Sequence, residues 1–526
     1  MPPIATILAT AVIIIVINTR LGECGHSSTT GASTPIASPS TSCALGNGFQ
    51  SYQTVNETST ETWPYQVFKS SPFQPPSLDI TRNGQPLAPG LLIFSPWQIP
   101  GDDAAKESAP LIMTDDGQLV WNGENNITFN LRVATYQNAS ILTFWTGILN
   151  PDPYFGFGYG NVTFLDTSYN KILTVCPQLG LVTPDGVTHQ CEADLHESYV
   201  ADRGTLLVTA YNVTQADLSS IGGPADGWIG NSLFYELDPK DGKVLFQWSA
   251  IDHVPINETK NPLAGRGLNQ SAAFDLFHIN SVVNIGTDGY LIGSRHLWTT
   301  YLLNATGDIE WVLQGDTGGD FGALPENGKF TSPGNTTSAP PPPETPTTPP
   351  PSKSHPPIVL DHLSDPTDPT DPLSAGSQGS VDLLPNNNFL MGYGLDPVIK
   401  EYGPAGTGND VRWSARYGAD GRVQSYRSFK SEWHGKPTSK PSLVVVPPVA
   451  NATTGCTTGY VSWNGATDVE GWKVSAGDSA GKLVGVGEVR YAGFETGFVV
   501  GGRCVQVSAV VSGREQRGGR SDVVCL

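Results

Sequence analysis

The chain has 526 residues, of which 15% are charged, with 59 glycines, 43 prolines, 12 tryptophans and 17 tyrosines. That length exceeds one ordinary domain, and a turn-rich, aromatic-rich composition without long amphipathic stretches points to β structure. A formal net charge of −20 excludes nucleic acid and anionic membrane surfaces as partners, because polyanions repel an acidic surface.

The first segment is the run "IATILATAVIIIVI", residues 4–17, which carries no charge. A spanning helix needs about 20 residues, so residues 1–25 are expected to be a secretory signal peptide. The run lacks a positively charged flank on its N-terminal side, which leaves a retained signal anchor, and hence a membrane-tethered protein, as the alternative. Residues 26–62 are rich in Ser and Thr and are expected to be disordered. Ten N-x-S/T triplets, at Asn56, Asn126, Asn138, Asn161, Asn212, Asn257, Asn269, Asn304, Asn335 and Asn451, predict N-glycans on a secreted, extracellular glycoprotein. The seven cysteines show no C-x-x-C metal spacing, and no cofactor-binding pattern is present, so neither metal nor cofactor is expected. Cys24 sits near the expected cleavage site. Cys176 and Cys191 flank one loop and are the expected disulfide. The pairing among Cys43, Cys456, Cys504 and Cys525 stays open.

From Trp63 onward a strand–turn–strand unit recurs: "PLIMTDDGQLVW", "VTFLDTSYNKILTV", "LFYELDPKDGKVLFQW", "TYLLNATGDIEWVL" and "VIKEYGPAGTGNDVRW". All but the first follow another β run, so each unit has about four strands. A small twisted sheet cannot bury both faces alone, and radial packing of such sheets solves this. The fold class is therefore all-β: a six-bladed β-propeller over residues 63–435, with aromatic residues such as Trp121, Trp248 and Trp311 between blades. "GLLIFSPW" and "SYRSFKSEW" are expected to supply the sixth blade. Residues 331–380 hold 14 of the prolines and read as an insertion, since no ladder strand tolerates that density. Residues 436–450 form a linker, and residues 451–526, with Trp463 and Trp472, read as a C-terminal immunoglobulin-like or fibronectin-type β-sandwich.

Two hairpins carry unusual polarity. In "FHINSVVNIGTDGYLIGSRH", a turn centred on residues 287–288 places Asn280 opposite Arg295, with His278 on the same face and His296 on the other. In "EADLHESYVADRGTLLVTAYN", a turn centred on residues 202–203 pairs His196 with Thr209. First strands of propeller blades line the central channel, so these side chains are expected to converge at its mouth. Arginine and imidazole together suit a sulfate, phosphate or carboxylate, and imidazole can also act as nucleophile or general acid. A purely structural hairpin network fits the same spacing equally well.

"DLHESYVADRGTLLVTAYN" and "FDLFHINSVVNIGTDGYLIGSRHLWTTYLLNATGDIEWVLQG" resemble the arylsulfotransferase (ASST) family, in particular its fungal branch. "TWPYQVFKSSPFQPPSLDI", "SYRSFKSEWHGKPTSKPSL" and "VSWNGATDVEGW" are similar to it as well, so the resemblance covers roughly residues 63–480. It implies a six-bladed propeller that moves a sulfuryl group from a phenol sulfate to a phenol, without a nucleotide donor and through a sulfated histidine. His196 matches the family's HE/HD motif, His278 and Asn280 its H-x-N motif, and Arg295 its S-R-H motif. By that resemblance Asn280 and Arg295 would hold the sulfuryl oxygens, and His196 or His278 would protonate the leaving phenolate. The implied partners are a small aryl sulfate and a phenol, with no stable protein partner indicated. The family's nucleophilic histidine lies downstream in a Q-H motif, which is missing after "WVLQGDTGGDFGA". The only histidines in that interval are His355 and His362. Either His362 folds back, or His196 or His278 attacks directly, or the protein is an inactive member that binds anionic or glycan ligands. The last is the expectation preferred on sequence.

Overall fold

The computed structural model describes residues 43–58, 61–98, 101–150, 156–286, 289–324, 363, 365, 373, 375–447 and 456–526. The apolar leader, most of the proline-rich stretch, His355, His362, Asn335 and Asn451 lie outside the described residues. Among the described residues the chain is all-β: the only helical pieces are three-residue 3₁₀ turns. None is long and apolar enough to cross a membrane.

Three antiparallel four-stranded meanders follow one another. The first comprises Thr128–Tyr136, Ala139–Leu149, Gly158–Leu165 and Lys171–Val175. The second comprises Ser198–Val200, Leu206–Ala216, Gly227–Leu237 and Val244–Ser249, with Phe274–Asp275 added in parallel to the third of these strands. The third comprises Ile279–Ile285, Gly289–Ser294, Thr299–Leu303 and Ile309–Gln314. A fourth sheet, Ser380–Leu383 through Val411–Arg416, takes Asp79–Arg82 onto its outer edge. The fifth joins the two ends of this region: Ser428–Ser431 pairs with Leu91–Phe94, which continues into Leu111–Met113 and Leu119–Asn122. "GLLIFSPW" and "SYRSFKSEW" therefore meet as expected, but they complete the "PLIMTDDGQLVW" sheet rather than add one. The described residues hold five such sheets and not six, because that hairpin supplies only two strands of its own unit.

Local sequence explains the repeat. Asp166, Asp238 and Asn304 stand at the same point of their outer hairpins, where a side-chain oxygen accepts from backbone N–H groups two to four residues on. The last-strand tryptophans then reach the next sheet. Trp248 Nε1 donates to Gly307 O at 3.1 Å and Trp413 Nε1 to Asp115 O at 2.8 Å, while Trp121 stacks on Tyr169 at 5.0 Å between centroids. Each ring buries apolar area and satisfies its N–H or π face in one contact. Trp311 instead packs on Phe321.

The first strands of the sheets approach one another where the site lies. Arg427, just before Ser428–Ser431, donates to Glu197 Oε1 at 2.8 Å, and Arg132 from Thr128–Tyr136 donates to the same oxygen at 2.8 Å. The second guanidinium nitrogen of Arg427 reaches His196 O and Asn280 O, both at 2.9 Å. One fully buried side chain thus ties three sheets together. Asp382, from the fourth sheet's first strand, also faces this group. Burial pushes its carboxyl up to about 7, against the pull of Arg132.

Two further two-stranded pairs join Gln53–Val55 to Tyr65–Val67 and Trp97–Gln98 to Val423–Gln424, and residues from both ends of the chain build two larger sheets. Ser442–Val446, Cys456–Ser462, Glu495–Gly501 and Phe49–Gln50 form one, and Gly471–Gly477, Val484–Arg490, Cys504–Val511, Arg514–Arg520 and Val524–Cys525 the other. They share a core that includes Trp472, Phe498 and Val505. Strands therefore occur inside the segment expected to be disordered, where Phe49–Gln50 is exposed and Leu45 ahead of it packs on this core, and inside the expected linker, where Leu443 and Val445 pack on it. Cys43–Cys456, Cys176–Cys191 and Cys504–Cys525 lie at bonding distance. The "SWNGATD" stretch docks this unit on the fifth sheet. Asn464 exchanges two 2.9 Å hydrogen bonds with the Asn122 backbone, and Tyr169 Oη donates to Gly465 O at 2.8 Å. Among the glycosylation triplets, Asn56, Asn126, Asn138, Asn257 and Asn269 are exposed, whereas Asn212 is half-buried and accepts from Val182 N.

Candidate functional site

The two polar hairpins come together, in a register one residue away from the expected one. Val282 pairs with Ile292, and the ladder shifts again at Asn280, which is left in a bulge between Ile279 and Ser281. Asn280 therefore does not face Arg295. The backbone N–H of Arg295 bonds His278 O at 3.0 Å, while its guanidinium donates at 3.4 Å to Gly376 O, toward the fourth sheet. No contact joins the Arg295 side chain to either imidazole. In the other hairpin Ser198 pairs with Val208, so Thr209 does not face His196 in the ladder; instead its N–H bonds Glu197 O and its carbonyl accepts from Asp194 N.

What converges is a cluster of imidazoles and carboxylates. His196, 4% exposed, places Nδ1 at 2.6 Å from Asp194 Oδ2. The same carboxylate accepts from His196 N, Thr209 Oγ1 and Gly158 N. His278, 8% exposed, places Nδ1 at 2.6 Å from Asp275 Oδ2. The His196 and His278 rings stand 4.8 Å apart between centroids, edge to face. With each Nδ1 held by a carboxylate, each Nε2 is left without a hydrogen-bond partner among the described residues. His296 was expected on the opposite face, but its Nε2 reaches the same Asp275 Oδ2 at 2.8 Å, and its ring lies 4.9 Å from that of His278. The bulge at Asn280 turns the end of the hairpin and brings both histidines to one side.

Backbone and burial set the state of these groups. His278 has φ +54°, a left-handed conformation costly for a side chain bearing Cβ. It is held there by the Arg295 N–H on its carbonyl, by Asp275 on its ring, and by Tyr211 Oη and Ser232 Oγ on the next peptide. Burial pushes His278 down to about 4, outweighing the attraction of Asp275. Burial alone would raise Asp275, but the His278 and His296 rings more than compensate and hold its carboxyl well below the usual range. A neutral imidazole donating to an ionised carboxylate satisfies both shifts.

Next to Phe157 and Asp275, which touch the site rings, lies a narrow cavity of about 10 Å³ lined by Asn150, Phe157, Tyr159, Pro184, Tyr211, Val213, Gly230 and Asp275, with none of the histidines on its wall. It has room for about one water as it stands. Phe157 packs on both site rings, at 5.4 Å from His196 and 4.9 Å from His278. The roof is the loop closed by Cys176–Cys191. Glu192 collects the Leu179, Gly180 and Leu181 N–H groups, and Gln270 Nε2 holds Thr183 O at 2.6 Å. As it stands the cavity is too small for a phenyl ring.

Of the residues singled out in the sequence, His196, His278 and the Asn280 backbone share the site, while the Arg295 side chain leaves it. Asp275, Phe157 and Arg427 were missed, while Asp194 and Tyr211 were read as a cross-strand pair of the His196 hairpin but given no part in the site. A signal for the two carboxylates was present: "DLH" and "DLFH" each place an aspartate just ahead of the histidine. The family model described as Arylsulfotransferase (ASST) matches residues 132–332, well under half of the chain but including both histidines and both aspartates. No curated protein matches the chain.

Proposed function

We propose that the chain is an arylsulfotransferase-like enzyme that moves a sulfuryl group from a phenol sulfate to a phenol acceptor, with His196 as nucleophile and His278 as its acid–base partner. The observation that carries this reading is the pair of carboxylate-oriented imidazoles 4.8 Å apart, with an aromatic-walled cavity next to Phe157 and Asp275. The five sheets are read as blades around an axis, because residues from their first strands meet at Arg427, Glu197, Arg132 and Asp382. The two sheets of the terminal unit are read as the immunoglobulin-like or fibronectin-type sandwich.

In the first half-reaction His196 Nε2 attacks sulfur. An N–S bond forms, the S–O(aryl) bond breaks, and the leaving phenolate takes its proton from solvent water; His278, with Nδ1–H on Asp275, keeps its Nε2 lone pair for the second step. Asp194 stabilises the developing charge on His196 as the Nδ1 proton stays between them. In the second half-reaction a phenol loses its proton to His278, its oxygen attacks sulfur, and His196 is released. Direct attack by His196 needs no contribution from His355 or His362. The phenyl ring would lie against Phe157 and Tyr211 once the cavity widens.

The test is incubation with p-nitrophenyl sulfate, with and without phenol. Acceptor-dependent nitrophenol release, and label from a radioactive sulfuryl donor recovered on the His196 peptide, are expected. Label on His362 would move the nucleophile to the insertion. Binding of the aryl sulfate without label or turnover would favour the inactive, anion- or glycan-binding reading.

A further inference from the structure

The site has an unbalanced charge. Asp194 and Asp275 are carboxylates, yet every arginine nearby is turned away or occupied. Arg132 and Arg427 share Glu197, and the Arg295 guanidinium points to Gly376 O. An aryl sulfate brings a further negative charge. Imidazoles already bonded to these carboxylates do not offset that, and a buried uncompensated anion is costly.

The two carboxylates also differ. Asp194 is filled by four donors from protein groups. Among the described residues the Asp275 carboxylate meets His278 Nδ1 and His296 Nε2, both on Oδ2, and its buried Oδ1 has no hydrogen-bond partner there. The three residues offer one ligand atom each within 4.8 Å of one another. Two imidazoles and one carboxylate with room for further ligands is the donor set of open zinc and related first-row sites. Tetrahedral bonds of about 2.0–2.1 Å put neighbouring ligand atoms roughly 3.3 Å apart, so the 2.6 and 2.8 Å contacts must open by about half an ångström or more while the three atoms, within 4.8 Å of one another, gather round the ion. His296 and Asp275 keep about a fifth of their side-chain surface exposed, which gives an ion a way in.

We propose that Asp275, His278 and His296 bind one divalent first-row metal ion, of which zinc fits the donor set best, and that the ion supplies the positive charge facing the sulfuryl group. The second half of this statement rests on the sulfuryl-transfer reading; the first does not. Coordination through Nδ1 would shift the His278 proton to Nε2, making His278 a donor toward a sulfuryl or phenolate oxygen. His196, tied to Asp194 by Nδ1–H, would keep the Nε2 lone pair for attack. The cation therefore assigns different roles to two rings that are otherwise alike.

The test uses the full chain, stripped with a chelator and titrated with Co²⁺ and Zn²⁺, followed by visible absorption and calorimetry. One equivalent of Co²⁺ with ligand-field bands, displaced by Zn²⁺, is the expected result. His296→Ala should weaken binding at least about tenfold, since losing even an outer-shell partner costs that much, while His434→Ala, at an exposed histidine elsewhere, should leave it unchanged. The wild-type spectrum stands as a readout even if the variant is poorly folded. No bands and no binding heat would overturn the metal site. Stoichiometric binding without any sulfuryl transfer would uphold the site and overturn the function reading. Full transfer by chelator-treated protein that binds no metal would do the reverse.

Discussion

Asp194–His196 and Asp275–His278 look like copies of one device, an aspartate gripping the Nδ1 of a buried histidine at 2.6 Å. Their surroundings separate them. Asp194 sits inside its hairpin and spends its lone pairs on backbone and hydroxyl donors, so it is part of the local fold. Asp275 comes from a two-residue strand added in parallel to the second sheet, and it gathers two histidines from the third. Both dyads are local in sequence; the first is filled out by Thr209 of its own hairpin and Gly158 of the first sheet, the second by His296 from the far side of its hairpin. A carboxylate with saturated lone pairs positions; one with an open oxygen can still bind.

Removing the rings tests this asymmetry most strongly. His196→Ala is expected to lower sulfuryl transfer by about 10³–10⁴-fold, as loss of a nucleophile does, with the fold intact by circular dichroism. His278→Ala should cost about 10²-fold, in the range of general acid–base catalysis. Equal losses would mean that the rings are interchangeable, and the reverse order would exchange their roles.

Removing the carboxylates should show the difference in stability. Asp194→Ala leaves several buried donors unpaired and is expected to cost about 3–5 kcal/mol in urea unfolding. Asp275→Ala frees one buried and one partly exposed imidazole and should cost about 1–2 kcal/mol. Similar values would refute the distinction between a structural and an open dyad.

Arg427 holds the carbonyl of His196 and that of Asn280 at the same time, so its loss should loosen both dyads together. Arg427→Gln is expected to cost about 3 kcal/mol, because Glu197 then keeps one buried counter-charge instead of two. Cobalt affinity at the Asp275 cluster and the label on His196 should fall in parallel. An effect on only one dyad would show that the two hairpins are positioned independently.

The smallest expected effect is on pH dependence at the centre of the first strands. The folded Asp382 carboxyl keeps its proton up to about 7, whereas the unfolded one releases it near 4. Between these values the folded state binds more protons, so its contribution to stability is present at low pH and is lost as pH rises through about 7. The drop in unfolding midpoint between pH 5 and pH 8 should be smaller in Asp382→Asn than in the natural chain. Identical slopes would mean that Asp382 titrates normally.

Much of this architecture was written locally. Alternating apolar residues, an Asx residue at the outer turns and a tryptophan closing the last strand specify each meander, because strand pairing and turn geometry depend on neighbours a few residues away. The Cys176–Cys191 pair was legible for the same reason, whereas the approach of the two histidine-bearing hairpins was expected from radial packing of the sheets. The D-x-H and D-x-x-H spacings also stood in the chain, though hairpin symmetry drew attention to Arg295 instead. Tertiary structure decided the rest. The five-sheet count depends on Ser428–Ser431 pairing with Leu91–Phe94, more than 300 residues apart. A one-residue register shift and a bulge at Asn280 sent the Arg295 side chain away and brought His296 in, because in a strand of period two one residue exchanges faces. The grip of Arg427 on two hairpin carbonyls, and the meeting of Asp275 with His296, arise only when separate sheets pack, and no spacing within one segment encodes a contact between two.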